Sequence, residues 1–128
     1  MTPAVEQAVR EVEATFLPSP IVIEDDGSGG ARIIVESAVL CGLYKQSDSW
    51  IGGHVMAQTP YSDVYPLFVR GDLQRADGRA LGDGMAPGHM FMNRPAIQVS
   101  RRSNGRDPTI EMPVLKFLKV LEWLRTRY

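Results

Sequence analysis

The first stretch of the chain with a regular apolar pattern covers residues 3–16. Its apolar side chains recur every three or four residues along one helix face, at Val5, Val9, Val12 and Phe16. Thr2 is a suitable N-cap, and Pro3 fits the first helical turn. Pro18 cannot continue a helix. The pattern therefore predicts a helix over residues 3–16.

A second helical pattern covers residues 113–128. The apolar stripe consists of Val114, Phe117, Leu118, Leu121 and Leu124. The pattern places Lys116, Lys119 and Glu122 largely on the opposite, solvent-facing side. Arg125 and Arg127 lie near the C-terminal end, where positive charge complements the helix dipole.

Short β-branched and aromatic runs fill the region between the two helices. Residues 21–23 and 31–40 flank a turn rich in Asp and Gly, which predicts a hairpin. Residues 50–58 form a candidate third strand, with Gly52 and Gly53 as a bulge or a close backbone approach. Residues 64–69 form a candidate fourth strand, in which Pro66 argues against a central position in the sheet.

Residues 71–88 are rich in glycine and charge, so we expect a surface excursion there. The predicted order is a helix, an antiparallel meander of about four strands, an irregular stretch and a helix, which favours α+β over α/β. We expect residues 1–128 to form a single domain.

Bulk composition excludes several classes of function. The formal net charge is -1, so no global field favours nucleic acid or an anionic membrane. The chain has no apolar run of the roughly 20 residues that cross a bilayer and no secretory signal at its start. We therefore expect a cytoplasmic protein without nucleic-acid or membrane partners. Cys41, His54 and His89 are too few and too scattered to predict a metal site, and we predict no cofactor.

Several local motifs occur in an order that resembles the ubiquitin-conjugating (UBC) family. A Gly-Gly pair at 52–53 precedes a Tyr-Pro segment at 65–69, and His89 and Asn93 resemble a broken His-Pro-Asn motif. The Ile-Gln-Val-Ser run at 97–100 is similar to the family's Ile-Cys-Leu-Ser, and 113–128 corresponds to the helix after the active site. The resemblance is greatest to divergent bacterial relatives in ubiquitin-like conjugation operons, and it implies a UBC-like α+β fold.

The resemblance also implies candidate catalytic residues, although the expected cysteine is missing. No cysteine lies near residues 98–100, and Cys41 comes too early in the chain to replace it. A serine carrying an oxyester would need a positioned base and an oxyanion donor. The candidates are Ser100 and Ser103 as nucleophile, His89 as base, Asn93 and Asn104 as oxyanion donors, and Asp107 to orient the incoming lysine.

Each candidate also has a structural interpretation. The serines and Asn104 are typical of turns and strand ends, and His89 lies among methionines that are typical of core or contact surfaces. For partner binding, the resemblance and the local charge indicate Arg101, Arg102, Tyr65 and Pro66.

Two hypotheses about function remain open, with a third behind them. The first is an atypical conjugating enzyme that accepts a ubiquitin-like protein from an activating-type adenylation enzyme and transfers it to a target. The second is a catalytically inactive UBC-like module that binds the ubiquitin-like protein or the activating enzyme. The third is an unrelated α+β interaction domain. A role in antiviral defence is implied by the resemblance alone.

Overall fold

The computed structural model describes residues 1–101, 107 and 112–127. Within these residues, two helices flank six strands. The helices are α1 (Pro3–Phe16) and α2 (Pro113–Thr126). The strands are β1 (Ile21–Asp25), β2 (Ala31–Val39), β3 (Asp48–Val55), β4 (Leu67–Arg70), β5 (Met85–Phe91) and β6 (Arg94–Val99). The predicted α+β class is confirmed.

All six strands form one antiparallel sheet in the order β1-β2-β3-β4-β6-β5. The first four strands are the predicted meander. The β5–β6 hairpin was not predicted, because its Pro87, Gly88 and Pro95 are atypical of strands. A register shift between Ala86 and His89 accommodates Pro87 and Gly88 at the edge of the sheet.

Strand β4 lies inside the sheet, between β3 and β6. The prediction that Pro66 argues against a central strand was therefore wrong. Pro66 precedes Leu67, the first residue of β4, so the missing N–H of proline removes no bond from the ladder. The predicted surface excursion ends at Gly84, since β5 begins at Met85.

Both helices pack against the same face of the sheet. Their buried side chains, including Val5, Val12, Phe117 and Leu121, join odd-numbered strand residues such as Ile33 in the main core. A separate, smaller apolar cluster on the opposite face consists of strand and hairpin residues, with no member from either described helix. We call this opposite face of the sheet the open face.

The predicted bounds of α1 are confirmed. Thr2 caps it as expected: the Thr2 hydroxyl accepts a hydrogen bond from the backbone N–H of Val5 at 3.2 Å. The predicted faces of α2 need two corrections. Lys116 is buried, whereas Leu118 is 39% exposed. The true stripe follows Pro113, Lys116, Phe117, Val120, Leu121 and Leu124.

None of the helices in the described residues combines the length and apolarity that crossing a bilayer requires.

Candidate functional site

Near the Tyr-Pro segment, a group of polar contacts centres on Lys116, in the first turns of α2. Its side chain is 6% exposed, and its ammonium group donates to Asp63 Oδ2 at 3.0 Å. The same group donates to the backbone carbonyl of Arg101 and lies 6.0 Å from the ring centroid of Tyr65. We call Asp63, Tyr65, Arg101 and Lys116 the Lys116 junction. It joins the loop before β4, the end of β6 and α2.

Ser100 borders this junction immediately after β6. It is half-buried, its backbone N–H donates to Gly84 O at 2.8 Å, and its hydroxyl accepts from Gln98 Nε2 at 3.1 Å. The structure therefore brings Ser100, Arg101 and Tyr65 to one region. Pro66 is half-buried beside Tyr65. The sequence pattern placed Lys116 on the solvent-facing side because its side chain is charged. Its helical spacing nevertheless matches the buried stripe of α2.

His89 lies elsewhere on the hairpin. It is exposed on β5 and pairs with Ala96, four residues before Ser100 on the neighbouring strand. At the rise of an extended strand, four residues span roughly 13 Å. This distance exceeds the hydrogen-bond reach of a general base. The structure does not bring His89 and Ser100 together.

Asn93 lies at the tip of the same hairpin. Met92 and Asn93 connect β5 to β6 with φ angles of 48° and 63°, which match a two-residue turn that favours Asn. Asn93 is seven residues from Ser100 along β6, or roughly 23 Å in an extended strand. Asn93 therefore forms the turn and lies far from Ser100.

The remaining candidates lie after β6, in a part of the chain that the structure describes only in part. Asp107 is exposed, whereas Arg102, Ser103 and Asn104 lie outside the described residues. Arg101 is exposed, and its guanidinium carbon lies 4.8 Å from the centroid of the Trp123 ring. In the described parts of the chain, no three His, Cys, Asp or Glu side chains are placed to hold a metal ion.

The open face carries an aromatic arrangement that the sequence interpretation missed. The rings of Phe68 and Phe91 are stacked with centroids 4.7 Å apart, and Trp50 stacks on Phe91 at 6.4 Å. We call these three residues the aromatic patch. Phe91 is buried, whereas Trp50 and Phe68 are half-buried. Below the rings lie Ile34 and Ala96, which are almost fully buried.

Charged pairs border the aromatic patch on one side. The Arg94 guanidinium donates to both oxygens of Glu36 at 2.6 and 2.8 Å and lies 5.7 Å from the Trp50 ring centroid. This hydrogen-bonded pairing holds the pKa of Glu36 below its usual range. Arg70 forms a second pair of bonds, with Asp72. The aromatic patch therefore ends in a rim of fixed charges.

A cavity of about 600 Å³ lies at this rim. Its walls include the indole of Trp50 and both ion pairs; the lining residues are Glu36, Asp48, Ser49, Trp50, Arg70, Gly71, Asp72, Arg94 and Pro95. Both acidic and basic side chains line the cavity, so it is suited to a polar group from a partner rather than to an ion of one sign. The patch and cavity together form a continuous surface.

At the other end of the sheet, His54 has a partner that the sequence did not reveal. His54 Nε2 lies 2.6 Å from Asp26 Oδ2, and Asp26 Oδ1 accepts from the N–H groups of Ser28 and Gly30. The bond with His54, followed by the backbone bond from Ser28, lowers the pKa of Asp26 to about 2. The pair fastens the β1–β2 turn to β3. The feature of the sequence that could have indicated this contact was an Asp in a Gly-rich turn.

Comparisons with protein-family models, with curated proteins and with solved structures give no match.

Proposed function

We propose that this chain is a UBC-like binding module that holds a ubiquitin-like protein on the open face of its sheet without catalysing transfer. The observation that carries this proposal is the aromatic patch with its charged rim. It occupies the sheet face to which neither described helix contributes apolar side chains.

The UBC-like part of the proposal is supported by the order of the elements. A first helix, a four-strand meander in sequence order and a last helix match what the sequence resemblance implies. The Gly52–Gly53 pair lies within β3, and the Tyr-Pro pair at 65–66 leads directly into β4. The β5–β6 hairpin is an addition to the predicted meander.

Three of the predicted catalytic residues that the structure describes are spread along one hairpin, which favours binding over catalysis. Ser100, His89 and Asn93 lie near its base, along its edge strand and at its tip, respectively. Ser100 Oγ accepts a hydrogen bond from the side-chain amide of Gln98. Among the described residues, no base contacts this hydroxyl. An unactivated serine hydroxyl is a weak nucleophile.

The composition of the open face fits a protein interface. Interface cores are enriched in aromatic residues and Arg, and the residues that dominate binding energy are most often Trp, Tyr and Arg. Here Trp50 and Phe68 are partly accessible at the centre, while Arg94 and Arg70 stand at the rim. The activating-type adenylation enzyme remains a partner predicted from the resemblance alone, without an assigned surface.

A titration tests the binding role. We expect a ubiquitin-like protein to be encoded beside the gene for this chain. That protein is the probe, added to the purified chain and followed by calorimetry. Trp50→Ala is expected to weaken binding roughly thirtyfold or more, as for a central interface residue. Leu17→Ala is the matched control, because Leu17 is 72% exposed and lies outside the patch. Equal affinities of both variants and the wild type would refute this surface, and a neighbourhood without such a gene would remove the proposed partner.

A second experiment separates binding from conjugation. The chain is incubated with the ubiquitin-like protein, the activating-type enzyme and ATP, and products are examined after thiol reduction. We expect a noncovalent complex and no adduct. A thiol-resistant adduct that hydroxylamine cleaves, and that disappears in Ser100→Ala or Ser103→Ala, would establish the conjugating enzyme instead.

A further inference from the structure

A smaller cavity, of about 230 Å³, opens on the helical side of the molecule. It lies between α1, the loop before β4 and the start of α2. The described residues that line it are Ala4, Gln7, Ala8, Glu11, Thr59, Pro60, Met112 and Pro113. Ala8, Thr59 and Pro113 are buried, whereas Ala4 and Gln7 are exposed. The cavity thus has a closed floor and a mouth at the surface.

Thr59, which lines this cavity, carries a buried hydroxyl group that lacks a hydrogen-bond partner. The residue is 7% exposed, and its hydroxyl oxygen has no hydrogen-bond partner. Its backbone N–H is satisfied by Met56 O at 3.0 Å. Among the described residues, this hydroxyl is the one buried side-chain nitrogen or oxygen atom left unpaired. Such a group costs folding free energy until something bonds to it.

The size and charge of the cavity restrict what it accepts. Its volume is below the range of about 300–1,000 Å³ that holds drug-sized ligands. It exceeds the roughly 150 Å³ of an apolar cavity that holds benzene. Of its described lining residues, Glu11 carries the single formal charge. A negative carboxylate at the mouth disfavours anions, and apolar walls favour a neutral molecule.

We infer that this cavity binds a small neutral molecule of about the size of phenol, with an apolar body and one hydrogen-bonding group that pairs with Thr59. Rotation of the Thr59 side chain to another staggered rotamer changes the direction of its hydroxyl, and we expect this rotation to turn the oxygen toward the ligand. No bond holds the hydroxyl in its present orientation. The cavity lies away from the open face, so this inference does not rest on the proposed function.

Phenol and benzene form a matched pair of probes. Each is titrated into the full ¹⁵N-labelled chain, and the amide resonances of Ala4, Ala8 and Thr59 are followed. We expect saturable shifts at these amides with phenol. Benzene is expected to bind about fivefold more weakly, because it lacks the group that pairs with the Thr59 hydroxyl.

Variants test the role of each part. Thr59→Val preserves the side-chain shape, and we expect it to abolish the preference for phenol while leaving benzene affinity unchanged. Ala4→Leu is expected to block both probes by filling the mouth. Ala14→Leu, at an exposed position of α1 outside the cavity, should change neither affinity. The inference is overturned if phenol shifts none of the cavity amides, if both probes bind equally to the wild type, or if Thr59→Val keeps the preference.

Discussion

The ring of Phe91 lies directly against the backbone of Gly52. A Cβ atom at residue 52 would stand 2.6 Å from Phe91 Cε2 and 3.0 Å from the carbonyl oxygen of Ile33. Real side chains do not tolerate contacts this short, and Phe91 cannot move freely because Phe68 and Trp50 stack on it. The absence of a side chain at Gly52 thus leaves the space in β3 that the ring of Phe91 occupies.

Gly52→Ala is accordingly expected to displace Phe91 and to destabilise the fold by about 1–3 kcal/mol, the usual cost of overpacking. Urea unfolding measures this change. Gly42→Ala is the matched control, since a Cβ at residue 42 meets no atom within 4 Å. We expect the control to stay within about 0.5 kcal/mol of the wild type. A Gly52→Ala chain as stable as the control would show that the patch repacks without cost.

Lys116→Met is expected to destabilise the fold by about 3 kcal/mol, because it leaves the Asp63 carboxylate without its buried cation. Combining Lys116→Met with Asp63→Asn also removes the carboxylate that Lys116 compensates, and we expect it to restore part of the loss. Thermal and urea unfolding compare the variants. Lys45→Met, at an exposed lysine outside the junction, serves as control. Equal losses in the single and double variants would contradict the charge-pair explanation.

The Asp26–His54 contact predicts a specific acid sensitivity. Hydrogen bonds lower the pKa of Asp26 from its ordinary 3.8 to about 2, chiefly through His54. A lowered carboxyl pKa contributes stability that is complete above 3.8 and is lost as the pH falls toward about 2. In that interval, the urea midpoint of Asp26→Asn should therefore fall less steeply than that of the wild type.

Asp83→Asn is the control for this pH experiment, because Asp83 is exposed and forms no ion pair within the described residues. Its urea midpoint should follow the wild-type curve throughout the interval. Parallel curves for Asp26→Asn and the wild type would mean that this hydrogen-bonded carboxylate contributes nothing to acid unfolding.

Asn93 distinguishes a turn from an oxyanion donor. Asn93 has a φ of 63°, which glycine adopts readily and a β-branched residue does not. Asn93→Gly should therefore change the free energy of unfolding by less than about 0.5 kcal/mol, whereas Asn93→Val should lower it by about 1–2 kcal/mol. Equilibrium unfolding tests both values. If Asn93→Gly instead abolished a conjugation activity without changing stability, Asn93 would have a catalytic role after all.

Local sequence signals determined the helices and the first hairpin. The apolar spacing and Thr2 cap predict α1 with the bounds that the structure has, and the Asp-Gly turn predicts the pairing of β1 with β2. These signals suffice because the contacts that decide helix caps and tight turns lie within a few residues of one another. The order of α1, the first four strands and α2 followed from local signals of this kind.

Three features depended on contacts distant in sequence. The β5–β6 hairpin contains prolines and glycines that local propensity assigns to loops, yet pairing with β4 makes it part of the sheet. Lys116 is buried because Asp63, 53 residues away in the chain, compensates its charge. Likewise, the sequence allowed His89 and Asn93 to lie near Ser100, and only the strand register decided their separation from it.

The sequence by itself determined the α+β class, the order of the two helices and the first four strands, and the residues from which a UBC-like relation is proposed. The tertiary structure alone decided that both described helices pack on one face, leaving Trp50, Phe68 and Phe91 stacked on the other. The physical reason is that an alternating strand pattern indicates which residues share a face of the sheet, but it does not indicate which face the helices will cover.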